Sequence, residues 1–246
     1  MRIQPDEKKI RSFTNTFWKE GRRVLKSNTA RLIEMIGDVP IEDIKNRAPR
    51  ILDTWELRSY LIDIWSTTGA WFANDMTRKL MTRQVKAEEY WEDAFRRYME
   101  ARVAGKAMSI ARTEATMFNS LIDLIIQEGY QEGFSINEIT GKLKREIEKR
   151  MGVIQQWEAQ RIAQTEVIGS ANKGSFDGAM STGLDIQKGW LTSGLQNVRA
   201  THALYGSMDF QPMDYEYAYG LQFPGDPRAD PSEIINCHCA IIYNVD

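Results

Sequence analysis

Apolar residues return every three or four positions through the first three quarters of this chain, the period of one helical face. Residues 6–36 set Ile10, Phe13, Phe17, Leu25, Leu32 and Ile36 on such a face, with Lys and Arg between them. Gly37 and Pro40 punctuate its end, and a short helix around 41–47 is predicted next. Residues 50–82 offer Trp55, Leu61, Ile62, Trp65, Phe72 and Leu80 as an interior face, and a long proline-free stretch covers 86–130. At 135–138, "SINE" is a capping box, in which Ser135 accepts from the backbone and Glu138 reaches back. It opens a charged helix over 136–150, and another helix over 153–182 closes at Gly183. "IARTEATMFN" (110–119) is echoed by "IAQTEVIGSAN" (162–172); a true repeat would mean two similarly packed helices, each burying a Thr-Glu step.

After Gly183 the helical period fades, and four of the seven prolines fall in this last stretch. "IQKGWLTS" (186–193) and "AIIYNVD" (240–246) read as strands, and "QFPGDPRADPSE" as a loop full of turns. The fold expected is mostly α: an elongated helical body over 1–183 with a small C-terminal α+β module over 184–246. A module of that size builds little core of its own, so it should dock on the body or be stapled.

The composition is that of an ordinary globular protein, 42% hydrophobic and 27% charged over 246 residues, which excludes a disordered or fibrous chain. No window approaches the roughly 18 uncharged apolar residues of a membrane span, so no membrane partner is expected. The opening "MRIQPDEKKIRSF" lacks the apolar run of a secretory signal, which points to an intracellular product. Net charge is −2, but its distribution is uneven: residues 1–31 hold nine Lys and Arg against three acids, and residues 206–246 one Arg against seven. The plain reading is two solvated surfaces. The functional one is a basic N-terminal arm, with Lys8, Lys9, Arg11, Lys19, Arg22, Arg23 and Lys26 facing nucleic acid or an acidic partner.

Only two histidines and two cysteines are present, and three of the four lie in Cys237-His238-Cys239. Two cysteines are too few for a disulfide framework, and a Cys-x-Cys bridge would be strained. If this segment enters a strand, alternation sends both thiols to one face and His238 to the other. Two thiolates on one face are half of a tetrahedral zinc site. His202 is the natural third ligand; Asp226, His238 or water are candidates for the fourth. The alternative is a pair of buried cysteines acting as small hydrophobes. A three-ligand zinc could also activate water, with Glu166 as a base, but no hydrolase, kinase, dinucleotide or metalloprotease pattern is present. Arg161 and Thr165 share a helix face, and Asn172 continues it; these polar groups are expected to anchor the C-terminal segment. Tyr215, Tyr217 and Tyr219 alternate as on a strand and should pack on one side.

In order, "RIAQTEVIGSANKGSFDGAMSTG", "KGWLTSGLQNVRATHALYG" and "FPGDPRADPSEIINCHCAIIY" resemble the phage Mu F-like family of head morphogenesis (minor head) proteins. The resemblance covers about residues 155–246. It rests on Thr165, Glu166 and Asn172; on Trp190; on Arg199, His202 and Gly206; on Pro224, Gly225, Asp226 and Pro227; and on Asn236, Cys237 and Cys239. Three features depart from the family pattern. His238 stands where Arg is usual, the step from His202 to Gly206 is one residue short, and Tyr205 replaces a common acid.

The resemblance implies a non-enzymatic minor head protein of a tailed phage or prophage. Such a protein would be made in the bacterial cytoplasm and carried inside the virion head. Its partners would be the portal protein or the major capsid protein, and phage DNA during packaging or ejection. Relatives with Cys-x-x-Cys near the position of His202 strengthen the expectation of a structural Zn2+. Two other readings stand beside this one: a metal-dependent enzyme or toxin-like module centred on His202, Cys237 and Cys239, and a non-specific DNA-binding protein.

Overall fold

A computed structural model describes residues 2–52, 54–81 and 88–245. It is mostly α, with a small antiparallel sheet built largely from the C-terminal residues. The elements are β1 (Arg2–Ile3), α1 (Glu7–Asp38), α2 (Ile41–Ile51), α3 (Thr54–Leu80), α4 (Glu88–Gln131), α5 (Ile136–Ser181), β2 (Ile186–Leu191), α6 (Ala200–Gly206), β3 (Gln211–Pro212), α7 (Pro231–Ile234) and β4 (Ala240–Val245).

Asp6 caps α1 by accepting from the Lys9 backbone N–H at 3.0 Å. The capping box before α5 is formed as its sequence suggests: Ser135 N donates to Glu138 Oε2 at 2.8 Å, and Glu138 N to Ser135 Oγ at 3.4 Å. The two helices expected over 136–150 and 153–182 are one, α5, because a single exposed Gly152 costs only about 1 kcal/mol and Met151 and Gln155 are buried on either side of it. Along α3 the buried positions include Leu57, Tyr60, Leu61, Ile64, Trp65, Phe72 and Met76. Trp55 and Ile62, expected on the interior face, are exposed.

The helical period ends where expected, at Ser181, and strands follow. Compactness does not follow that boundary. One compact unit gathers Met1–Trp18, Ile62–Arg102 and Arg161–Asp246; the other gathers Lys19–Leu61 and Val103–Gln160. The basic N-terminal residues are not a free arm: Arg2–Ile3 form a strand and α1 begins at Glu7.

In the first unit the sheet order is β1-β4-β2-β3. β2 pairs with β4 along its whole length, from Ile186 opposite Val245 to Leu191 opposite Ala240. Ile186, Lys188 and Trp190 therefore share a face with Ile241 and Tyr243. Ile186, Ile241 and Tyr243 pack there with Met76 of α3, Phe176 and Ala179 of α5, and Phe223. α3 and α5 approach closely through small residues. A Cβ on Gly174 would lie 2.2 Å from Gly69 O, and one on Gly178 would lie 2.4 Å from Ala73 O. Thr77 Oγ1 donates to Gly178 O at the same seam.

The second unit is helical, with Leu25, Leu32, Ile44, Leu57, Phe118, Leu143 and Ile147 in its core. Buried polar ties help to hold it. Asn28 Nδ2 donates to Glu114 Oε2 at 3.0 Å, and Gln155 Nε2 donates to Leu25 O at 2.9 Å. The echo seen in the sequence is half realised: Glu114 and Glu166 are both buried, but Thr113 is exposed whereas Thr165 is buried.

Candidate metal centre

The segment that carries the cysteines is positioned by three backbone anchors. Asn236 has φ +54°, a left-handed turn that Asn tolerates, and its N–H donates to Thr165 Oγ1 on α5 at 3.1 Å. Cys237 N donates to Ile234 O. Asn172, two turns along α5 from Thr165, donates through Nδ2 to Cys239 O at 3.1 Å and to Pro224 O at 2.9 Å, and accepts from Ile241 N at 3.0 Å. The polar stripe on α5 thus anchors the C-terminal segment. Glu166 faces the other way, accepting from Trp65 Nε1 at 2.8 Å, and Arg161 is half-buried one turn before Thr165.

His202 arrives on α6. Arg199, its N-cap, donates from Nε to Ser232 O and from Nη2 to Ile235 O, both at 2.6 Å, and so ties α6 to the segment before the cysteines. Gly206 ends the helix against Thr192, where a Cβ would lie 2.8 Å from Cγ2. In the Pro-Gly-Asp-Pro turn Gly225 has φ +77°, and a Cβ there would lie 2.9 Å from Gly169 Cα of α5. Only glycine satisfies both demands.

The result is a buried triad. His202 Nδ1 lies 3.7 Å from Cys237 Sγ and 3.6 Å from Cys239 Sγ, and the three residues are 1%, 1% and 4% exposed. A tetrahedral ion with Zn–S of about 2.3 Å and Zn–N of about 2.0–2.1 Å sets nitrogen and sulfur about 3.6 Å apart, so the donor set and its spacing fit zinc. His202 Nε2, on the far side of the ring, lies 3.2 Å from Glu233 Oε2, off the line a hydrogen bond needs. Thr201 Oγ1 donates to the same oxygen at 3.0 Å and holds the carboxylate in place. A carboxylate behind the ring is the usual way to orient a metal-binding histidine.

Alternation sends His238 outward, as expected, and it is exposed while both thiols are buried. His238 therefore does not join the triad. Nor does Asp226: its carboxylate accepts from Gln222 N, Arg228 N and the Arg228 side chain. Among the described residues the potential ligands at this place are His202, Cys237 and Cys239.

The electrostatics favour one thiolate even without metal. The hydrogen bond from the Cys237 thiol lowers the pKa of Cys239 and outweighs its burial, helped by His202 and Trp190. The Cys237 thiol is pushed up by the same hydrogen bond and by burial. Around the triad the Trp190 ring lies tilted 4.9 Å from the His202 ring and edge-on 5.1 Å from those of Tyr205 and Tyr217. Tyr217 is buried and Tyr215 half-buried, but Tyr219 is exposed at φ +64°, so the three tyrosines do not share a face. A 3-10 turn over Ala218–Gly220 breaks the alternation.

The sequence did not single out Glu233 or Thr201. The signal for Glu233 was only the Asp-Pro-Ser-Glu start of a short helix, with Asp230 as its cap. Of the basic residues proposed for nucleic acid, Lys8, Lys9 and Arg11 belong to the first unit and Lys19, Arg22, Arg23 and Lys26 to the second. Lys9 Nζ lies over the Phe13 and Trp71 rings at 4.7 and 5.2 Å. No helix among the described residues is long and apolar enough to cross a membrane. The chain matches no protein-family model, no curated protein and no solved structure.

Proposed function

We propose that this chain is a minor head protein of a tailed phage or prophage, non-enzymatic and seated on the portal or the inner capsid surface. Its C-terminal module is held by a structural zinc ion on His202, Cys237 and Cys239. One observation carries the reading: residues that bear the resemblance to the Mu F-like family interlock in a single neighbourhood. Thr165 and Asn172 hold the cysteine segment, Arg199 ties in the helix of His202, and Gly225 seats the Pro-Gly-Asp-Pro turn on α5. Each has a holding role. The near-complete burial of the triad supports a clasp over a reactive centre, because it leaves no open face for a substrate. The zinc would supply cross-linking between α6 and the segment leading into β4.

Mass spectrometry of purified particles tests the placement. A few copies per virion are expected, with head assembly lost on deletion. Particles lacking the protein, assembled normally after deletion, would end the proposal. Elemental analysis tests the clasp: about one zinc per chain is expected, and none in Cys237→Ser.

A further inference from the structure

A cavity of about 470 Å³ opens in the second unit between α1 and α5. Its α1 wall presents Lys19, Arg22, Arg23 and Lys26, all exposed. These positions follow the i, i+3, i+4, i+7 rule of one helical stripe. Further along, the same wall turns apolar, with Ala30 and Ile33. The α5 wall holds Glu148, Gly152 and Gln155. Gln155 is pinned to α1 through Leu25 O and Thr29 Oγ1, so the floor is fixed. Gly152 leaves the space above that floor empty, since a Cβ there would meet nothing within 4 Å.

We infer that this groove receives an acidic amphipathic helix of a partner protein. Two helices lying side by side share a rise of about 5.4 Å per turn. Cations on successive turns of α1 therefore meet carboxylates on successive turns of the guest, while Ala30 and Ile33 meet apolar residues that continue the guest's stripe beyond them. Duplex DNA suits the place less well. A phosphate backbone has no apolar stripe for Ala30 and Ile33, whereas Glu148 on the opposite wall opposes either anion and does not separate them. The inference does not depend on the zinc clasp or on the phage reading.

The test uses the full chain and a labelled 24-residue peptide carrying Glu at i, i+3, i+4 and i+7, with Leu continuing the same stripe, read by fluorescence anisotropy. Controls are a peptide of the same composition in scrambled order and a 20-base-pair duplex. The patterned peptide should bind at least tenfold more tightly than the scrambled one. Neutralising the four cations to Gln should weaken it at least tenfold. Gly152→Leu fills the groove without touching a charge and should weaken it as much, while circular dichroism stays native. Equal binding of the two peptides, or full binding to the Gly152→Leu protein, overturns the inference. So does duplex DNA that binds more tightly than the peptide and depends on the same four cations.

Discussion

Lys188 is the residue least suited to its surroundings. It is fully buried on β2, its Nζ has no hydrogen-bond partner among the described residues, and it lies 5.1 Å from the Phe176 ring centre and 5.8 Å from that of Tyr217. Burial lowers its pKa from 10.5 to about 8, against the pull of Asp214, Asp226 and Glu216 and with a push from Arg228. Between those two values the folded chain binds fewer protons than the unfolded one. The cost is therefore complete below pH 8 and fades as pH rises toward 10.5. Lys188→Met should stabilise the fold at pH 7 by about 3 kcal/mol, with the advantage shrinking over that window in urea melts. Glu114 runs in the opposite direction along the pH scale. Burial raises it to about 7, with Glu158 adding to the rise and the Asn28 hydrogen bond opposing it. The folded chain keeps this proton after the unfolded chain has lost it, so stability falls as pH climbs from 4.5 to about 7. Glu114→Gln should gain about 3 kcal/mol at pH 8 and almost nothing at pH 4.5. An equal gain at both would mean that the carboxyl is not the source.

Among the elements, α5 does the most, because one helix supplies core to both units and anchors to the C-terminal segment. Asn172 alone satisfies two carbonyls and one amide. Removing it strands three buried backbone groups, and Asn172→Ala should cost about 3–5 kcal/mol. Asn172→Asp has nearly the same shape and keeps the acceptor for Ile241 N, yet it sets a carboxylate against two carbonyls. It should therefore give no rescue, as read from Trp fluorescence in denaturant titrations. Much of this element plan was legible from the sequence, because helical period, capping box and strand composition are local properties. The Cys-x-Cys burial pattern and the polar stripe of Thr165 and Asn172 were legible for the same reason. What escaped depends on distant partners. Arg2–Ile3 are too short to signal a strand and exist as one because β4 offers an edge. Gly174 and Gly178 look like a breaker pair, and only the backbone of α3 against them explains the spacing. Glu233 could not be linked to His202 before α6 and α7 were brought together.

For the whole molecule, the two compact units divide the chain but share long helices, and the triad lies in only one of them. Metal bound to folded protein alone stabilises what it cross-links. On the proposed zinc clasp, loss of the metal should be felt first around β2 and β4, not in the second unit. Chelation at pH 7 should accelerate hydrogen exchange over 186–191, 200–206 and 236–245, and leave 110–131 and 139–151 unchanged. Cys239→Ser should exchange like the chelated protein and no longer respond to chelator. Glu233→Gln keeps all three ligands but weakens the carboxylate behind His202, so it should retain zinc with about 10–100-fold lower affinity. Uniform acceleration along the chain would mean that the units unfold as one. No change at all would reduce the buried thiols to packing, with Asn172 and Arg199 left to hold the module by hydrogen bonds alone.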